Sequence, residues 1–191
     1  MKRAVIVHCW SGTPGYCWYP YARRELEGRG FEVEVPAMPD TDAPDLAKWL
    51  PKLREAVGTP DEDTYLVGHS VGCITILRYL ESLPAGQRVG GAVLVAGPAD
   101  DIGYEEIESF FKTPVDFNKA KASVKNGFVA IHSDNDPYVG LKHGETLKKE
   151  LGAELIVKHD ANHFAGMENY GEKDCLELPD VVDAVVRLSS R

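Results

Sequence analysis

The sequence has no apolar run approaching the ~18–20 residues that a bilayer-spanning helix needs, which argues against a membrane-spanning role. It has no basic cluster either: Lys and Arg never follow one another for more than two positions, and 21 of them face 30 Asp and Glu, for a formal net charge of −9. That balance excludes function classes built on phosphate backbones or anionic lipid surfaces, so neither a nucleic acid nor a membrane is expected as a partner. Cysteine is scarce. The four residues Cys9, Cys17, Cys73 and Cys175 form no C-x-x-C pair, which removes the usual zinc and redox patterns and leaves reduced thiols in a cytoplasmic protein as the expectation. Internal repeats, low-complexity tracts and linkers are missing. The opening "MKRAVIVHCW" starts like a secretion signal, but its apolar run, Ala4 to Val7, is shorter than an h-region and no small-residue cleavage site follows.

What the sequence does have is alternation. Short apolar runs at 4–8, 31–35, 64–67, 89–96, 128–132 and 155–158 read as strands, and most are separated by stretches with helical periodicity. Leu46, Trp49, Leu50, Leu53 and Val57 mark one helix, for which Asp42 and Pro44 are placed as start signals. Ile74, Leu77, Leu80 and Leu83 mark another, stopped by Pro84. Leu141 to Leu151 ends on the glycine signal of Gly152, and Val181, Val182, Val185, Val186 and Leu188 form the buried face of a last helix begun by Pro179. Strands alternating with helices predict an α/β domain of three layers, with a mostly parallel six-stranded sheet covered on both faces. The 191 residues suit one such domain, 1–191. The segment 99–127 interrupts the alternation and reads as a minimal cap beside the site.

The chemistry concentrates in "YLVGHSVGCITI". Gly68, Ser70 and Gly72 form a G-x-S-x-G pattern. The bare pattern arises by chance in ~6% of chains of this length, so context decides. A strand precedes it and a helix follows, which is the setting of a nucleophile elbow. A serine hydroxyl attacks only when a neighbouring base takes its proton. A sharp turn lifts its oxygen above the sheet, and the Val71 N–H then points at a developing oxyanion near a helix N-terminus. The base and its supporting acid belong on later loops. Asp134 and Asp136 follow the fifth strand in "IHSDNDPYV"; His159 and His163 follow the sixth in "KHDANHFAG". The order Ser, Asp, His is one of the known triad orders.

The motifs G-H-S-V-G, "SDNDPYV" and "ANHFAG" resemble those of α/β-hydrolases. The small size, the start directly on the strand before the oxyanion loop, and "FFKTPVDFNKAKA" resemble one subgroup, the small serine hydrolases related to the retinoblastoma-binding serine hydrolase and its bacterial relatives. The resemblance implies the α/β-hydrolase fold without the first two strands of larger relatives. It also implies Ser70 as nucleophile, Asp136 as acid and His163 as base. Many relatives carry His-Gly after the first strand. Here the residues are His8-Cys9-Trp10, and Trp10 N–H is the candidate second oxyanion donor. The retinoblastoma-binding pattern L-x-C-x-E is missing, because Lys173 stands where leucine is required in "KDCLE". Turn chemistry points to Asp136 as well: Asp134 and Asn135 are natural turn formers that bond nearby amides, and Asp136 follows the bend, fixed by Pro137.

Blander readings apply elsewhere. His159 and His163 sit four apart near aspartates, but residues after a strand need not share a helical face, so no metal is expected. His69 should point away from Ser70. His8 supports or underlies the oxyanion loop, and His132 is structural. Cys9 and Cys73 lack a paired base and read as inert. Trp10, Tyr16, Trp18 and Tyr19, and Phe110, Phe111 and Phe117 from the cap segment, divide between pocket wall and core packing; Trp18, Phe110 and Phe111 are the pocket candidates. The expected function is a serine hydrolase that cleaves small carboxylic esters, thioesters or amides through an acyl-enzyme on Ser70, with a small-molecule acyl substrate and no cofactor. The rival is a protein-interaction module on a hydrolase scaffold with an idle triad.

Overall fold

The computed structural model describes residues 1–166 and 175–191; Lys173 of the L-x-C-x-E comparison lies outside them. The strands are β1 (Arg3–Val7), β2 (Glu32–Glu34), β3 (Thr64–His69), β4 (Gly91–Val95), β5 (Phe128–Ser133) and β6 (Glu154–Lys158). They form one six-stranded sheet in the order β2-β1-β3-β4-β5-β6. Every neighbouring pair is parallel, so the sheet is wholly rather than mostly parallel. Alternate residues face opposite layers, as the two-residue period of a strand requires. Val5, Val7, Leu66, Leu94 and Ala130 join one core; Ala4, Ile6, Val67, Val93, Val95, Val129 and Ile131 join the other.

The first core is covered by α2 (Leu46–Val57), α3 (Val71–Glu81), α4 (Phe117–Ala122) and α5 (Lys142–Leu151). The second is covered by α1 (Tyr19–Glu27) and α6 (Pro179–Leu188). In α6 the predicted stripe is real for Val181, Val182, Val185 and Leu188, which are buried, while Val186 lies at its margin. Full burial of side chains of this size contributes roughly 1.5–3 kcal/mol each. The cap of α2 differs from expectation. Asp45 takes that place, its carboxylate accepting the Ala47 N–H at 2.9 Å; its extended backbone is the conformation an N-cap requires. Within 99–127, a 3₁₀ helix at Glu105–Phe110 lies before α4, and α4 packs on α3 and α5 in the covering layer.

Because all strands run the same way, the loops after β1, β3, β4, β5 and β6 meet at one edge of the sheet. The chain runs from β1 outward to β2, then returns past it to β3. This reversal makes the β1/β3 crevice the switch point at which open α/β sheets bind ligands. Two glycines let the crevice close. A Cβ on Gly72 would lie 2.2 Å from the Val7 carbonyl oxygen, and one on Gly68 would lie 2.8 Å from the Cys73 backbone. The first turn of α3 therefore rests directly on the end of β1.

Gly72→Ala should cost about 3 kcal/mol or more, because backbone cannot yield as a flexible side chain can. Gly15 has open space around its Cβ position, and Gly15→Ala should change stability by only a few tenths of a kcal/mol, on the order expected of a surface site. Urea unfolding of both variants checks the contrast, and similar losses would contradict the close approach.

Candidate active site

Ser70 stands between β3 and α3 with φ 54° and ψ −118°, a backbone conformation that costs a non-glycine residue of order 1–3 kcal/mol. Its amide donates to the Val95 carbonyl at 2.9 Å, and its carbonyl accepts the Cys73 N–H at 2.9 Å. These bonds fix the turn at both ends. Ser11, Ala96, Asp160, Asn162 and Phe164 also have positive φ, and all belong to loops at the same edge. Backbone strain thus gathers where the candidate site residues lie, a pattern common at functional sites.

A cavity of about 260 Å³ opens there, lined by Ser70, Val71 and His163 and by Cys9 and Trp10 of the loop after β1. His163 Nδ1 lies 2.8 Å from Asp136 Oδ2. The Asp136 side chain has no solvent exposure and that of His163 only 7%, so water competes little for this bond. The other carboxylate oxygen of Asp136 accepts the Tyr138 and Val139 amides, both at 2.9 Å. Turn chemistry predicts such bonds for Asp134; the structure gives them to Asp136, whose two oxygens divide between the bend and the imidazole. Asp134 reaches across to the other loop instead: Oδ1 accepts the Asp160 amide at 3.1 Å and Oδ2 lies 2.7 Å from His159 Nδ1. His159 is exposed, and the Asp134 carboxylate raises its pKa.

The two candidate imidazoles therefore pair with different aspartates, and only His163 reaches the cavity that Ser70 lines. Among the described residues, Asp134, His159 and Asp160 have potential ligand atoms within 4.8 Å of one another, all exposed; His163 is not part of that group. Asn135 ties the two loops together. Its Oδ1 accepts the Ser133 hydroxyl at 2.7 Å and the Asn162 amide at 2.8 Å.

In the loop after β1 the left-handed backbone falls at Ser11 and Cys17, not at Cys9, so position 9 does not need the conformational freedom of glycine. The Cys9 carbonyl accepts the Gly12 amide at 3.1 Å and lies 2.9 Å from His8 Nδ1. His8 Nε2 accepts the Met38 amide at 3.1 Å, so Nδ1 carries the proton and donates to Cys9. Burial raises the Cys9 thiol to about 11, which keeps it a thiol at neutral pH. His69 points into the core, away from the cavity, as the elbow requires.

Three pocket candidates are corrected. Trp18 is fully buried against Tyr19 and His69 beneath the elbow. Phe110 is fully buried, its ring edge-on to Trp49, and Phe111 packs on the same core. None of the three lines the cavity: Trp18, at the start of α1, packs into the core beneath the elbow, and Phe110 and Phe111, at the end of the 3₁₀ helix, turn toward the opposite core. The wall is made instead by Trp10, Ile102, Tyr104, Ile107, Tyr138 and Ala165, with Trp10 and Tyr104 packed edge-on at 5.9 Å. The positions of Ile102, Tyr104 and Ile107 in the interrupted segment were the available signal; their side-chain directions depend on how the 3₁₀ turn packs.

Burial keeps the inner histidines neutral. His69 is lowered to about 3 and His132 to about 4, in both cases chiefly by loss of hydration. In the unfolded chain histidine titrates near ~6.5. Between ~6.5 and these lowered values the unfolded state binds more protons, so stability is whole above ~6.5 and falls as pH drops through the window. Each ring contributes about 1.4 kcal/mol per pH unit there. Urea midpoints should thus be clearly lower near pH ~5 than near ~7.5; equal midpoints would contradict neutral buried rings.

The family described as serine hydrolase matches residues 4–177. The chain is 30% identical over 191 residues to YdeN of Bacillus subtilis (strain 168), covering 100% of this chain and 97% of that one. The crystal structure of the B. subtilis ydeN gene product superposes with a TM-score of 0.91 over 100% of both chains at 30% identity. The serine hydrolase RBBP9 of Rattus norvegicus is 30% identical over 171 residues, 87% of this chain and 89% of its own. Matched over nearly its whole length, the chain belongs to the serine hydrolase family and has the α/β-hydrolase fold.

Proposed function

We propose that the protein hydrolyses small, neutral carboxylic esters by acyl transfer to Ser70, with thioesters and simple amides as related substrates. The observation that carries the reading is the buried Asp136–His163 pair, 2.8 Å apart, at the wall of the cavity onto which Ser70 opens. A carboxylate accepting from Nδ1–H leaves the Nε2 lone pair to take the serine proton. The imidazolium so formed is stabilised by Asp136, and it returns the proton to the leaving group. The tetrahedral oxyanion is held by the Val71 and Trp10 amides, with the N-terminus of α3 adding positive potential. Water activated by His163 then releases the acid. No step calls for a cofactor.

The lining supports a substrate class. Among the described lining residues, His163 is the one titratable base, and none carries a carboxylate, ammonium or guanidinium. A charged acyl group would lose hydration there without gaining a partner. Neutral p-nitrophenyl butyrate should therefore be turned over with kcat/KM at least ~10-fold above the anionic p-nitrophenyl hemisuccinate, one such ratio being about 1.4 kcal/mol of transition-state binding. Ser70→Ala should lose on the order of 10⁶ in turnover, as nucleophile loss does in serine hydrolases. His163→Ala should be similarly inactive and His159→Ala active. A folded Ser70→Ala variant with near-wild-type rates would overturn the reading.

The two aspartates separate cleanly. Asp136→Asn should cut turnover by on the order of 10⁴, since an amide that presents its NH₂ to Nδ1 favours the wrong tautomer. Asp134→Asn keeps an oxygen for the Asp160 amide and should leave turnover within about threefold, with at most a small loss of thermal midpoint. Measuring kcat and Tm for both decides between them; a larger catalytic loss at 134 would reverse the assignment.

A further inference from the structure

A buried line of hydrogen bonds runs under the elbow and joins two loops that carry different parts of the proposed machinery. The Cys9 amide donates to the Tyr19 hydroxyl at 3.0 Å. That hydroxyl lies 2.7 Å from His69 Nδ1, and His69 Nε2 lies 2.8 Å from the carbonyl oxygen of His163. The polarity of the line follows from its ends. A carbonyl can only accept, so Nε2 carries the hydrogen; the lone pair of Nδ1 then accepts from Tyr19, whose oxygen accepts from Cys9. Every member is satisfied, and Tyr19 and His69 are buried. His69 stays neutral at working pH because burial disfavours its charged form, so the polarity does not switch.

Both ends of the line hold backbone that matters. Asn162 and Phe164, on either side of His163, have φ of 47° and 55°. Such backbone persists only where its surroundings hold it, and the His69 bond grips the carbonyl between them. At the other end, the Cys9 amide is held by Tyr19 while the Cys9 carbonyl is held by Gly12 and His8. That carbonyl belongs to the planar Cys9–Trp10 peptide, whose N–H points opposite to it. Fixing Cys9 on both sides therefore aims the Trp10 N–H.

We propose that Tyr19 and His69 are positioning residues that hold the loop of the base and the loop of the oxyanion donor in register across the elbow. The inference rests on the acyl-transfer reading of Ser70 and His163. It assigns catalytic importance to side chains that touch no substrate, and it gives the histidine of G-H-S-V-G a role through its backbone partner rather than as a base.

The test measures kcat, KM and Tm for p-nitrophenyl butyrate hydrolysis, each variant assayed well below its own Tm. Tyr19→Phe removes one oxygen and should lower kcat by roughly 10- to 100-fold, the scale of small misplacements of catalytic groups, with KM within about twofold. Phe31→Leu trims the same core away from the line and should lower Tm with kcat unchanged. His69→Gln keeps a donor for the His163 carbonyl and an acceptor for Tyr19, and should retain more activity than the apolar His69→Met. Wild-type kcat in Tyr19→Phe, or a loss no greater than in Phe31→Leu, would overturn the proposal. If Tyr19→Phe does not fold, equal rates for His69→Gln and His69→Met overturn it and a faster Gln variant supports it. Ser70→Ala in the same assay separates the two levels: if it retains turnover, the acyl-transfer reading fails and the proposal with it; if it is inactive while Tyr19→Phe is unimpaired, only the proposal fails.

Discussion

The contact between Gly72 and the end of β1 sets the geometry of the site. Without a Cβ at position 72, α3 begins against the Val7 carbonyl, where any side chain would collide with backbone. That contact brings the loop after β1 alongside the first turn of α3, so Trp10 and Val71 come to line one cavity with Ser70. It also accounts for the strained serine: the chain must leave β3 and enter a helix within one residue, and φ 54° at Ser70 is the result. The strain is held by the bonds from Ser70 to Val95 and Cys73 and by the rigid parallel sheet beneath.

The same edge shows how one chain gives different characters to its histidines. His159 is exposed and its charged form is favoured by Asp134. His69 and His132 lie inside, and loss of hydration keeps them neutral. His163 has its Nδ1 on a buried carboxylate and its ring on the cavity wall. A base needs both features: a fixed tautomer and a lone pair that can meet a proton. Position relative to solvent and to a single aspartate, more than residue type, separates His163 from the rest.

Much of this was legible in the sequence because it rests on local rules. Alternating apolar runs with helical spacing between them require a covered parallel sheet, and a glycine-flanked serine between strand and helix requires an elbow. The motifs and the family resemblance pick out Ser70, Asp136 and His163, and the structure pairs Asp136 with His163 at the cavity that Ser70 lines. Turn chemistry misplaces the turn bonds: Asp136 itself bonds the Tyr138 and Val139 amides, while Asp134 spans to the neighbouring loop. Aromatic residues were the least legible. Trp18, Phe110 and Phe111 look like pocket material by type, yet their rings turn into the two cores. Tyr104 and Tyr138 reach the cavity from turns whose directions depend on tertiary packing. The bonds of Tyr19 and His69 join positions 9, 19, 69 and 163, and no local pattern reports contacts over such separations.

The account stands on Ser70 being an activated nucleophile, and covalent trapping tests that most directly. After treatment with a fluorophosphonate, peptide mass spectrometry of the native protein should find one phosphonyl group, on Ser70, and none on protein unfolded before treatment, since the reaction depends on the assembled base and oxyanion donors. A native protein that remains unlabelled, or that carries the adduct on another residue, would contradict the account.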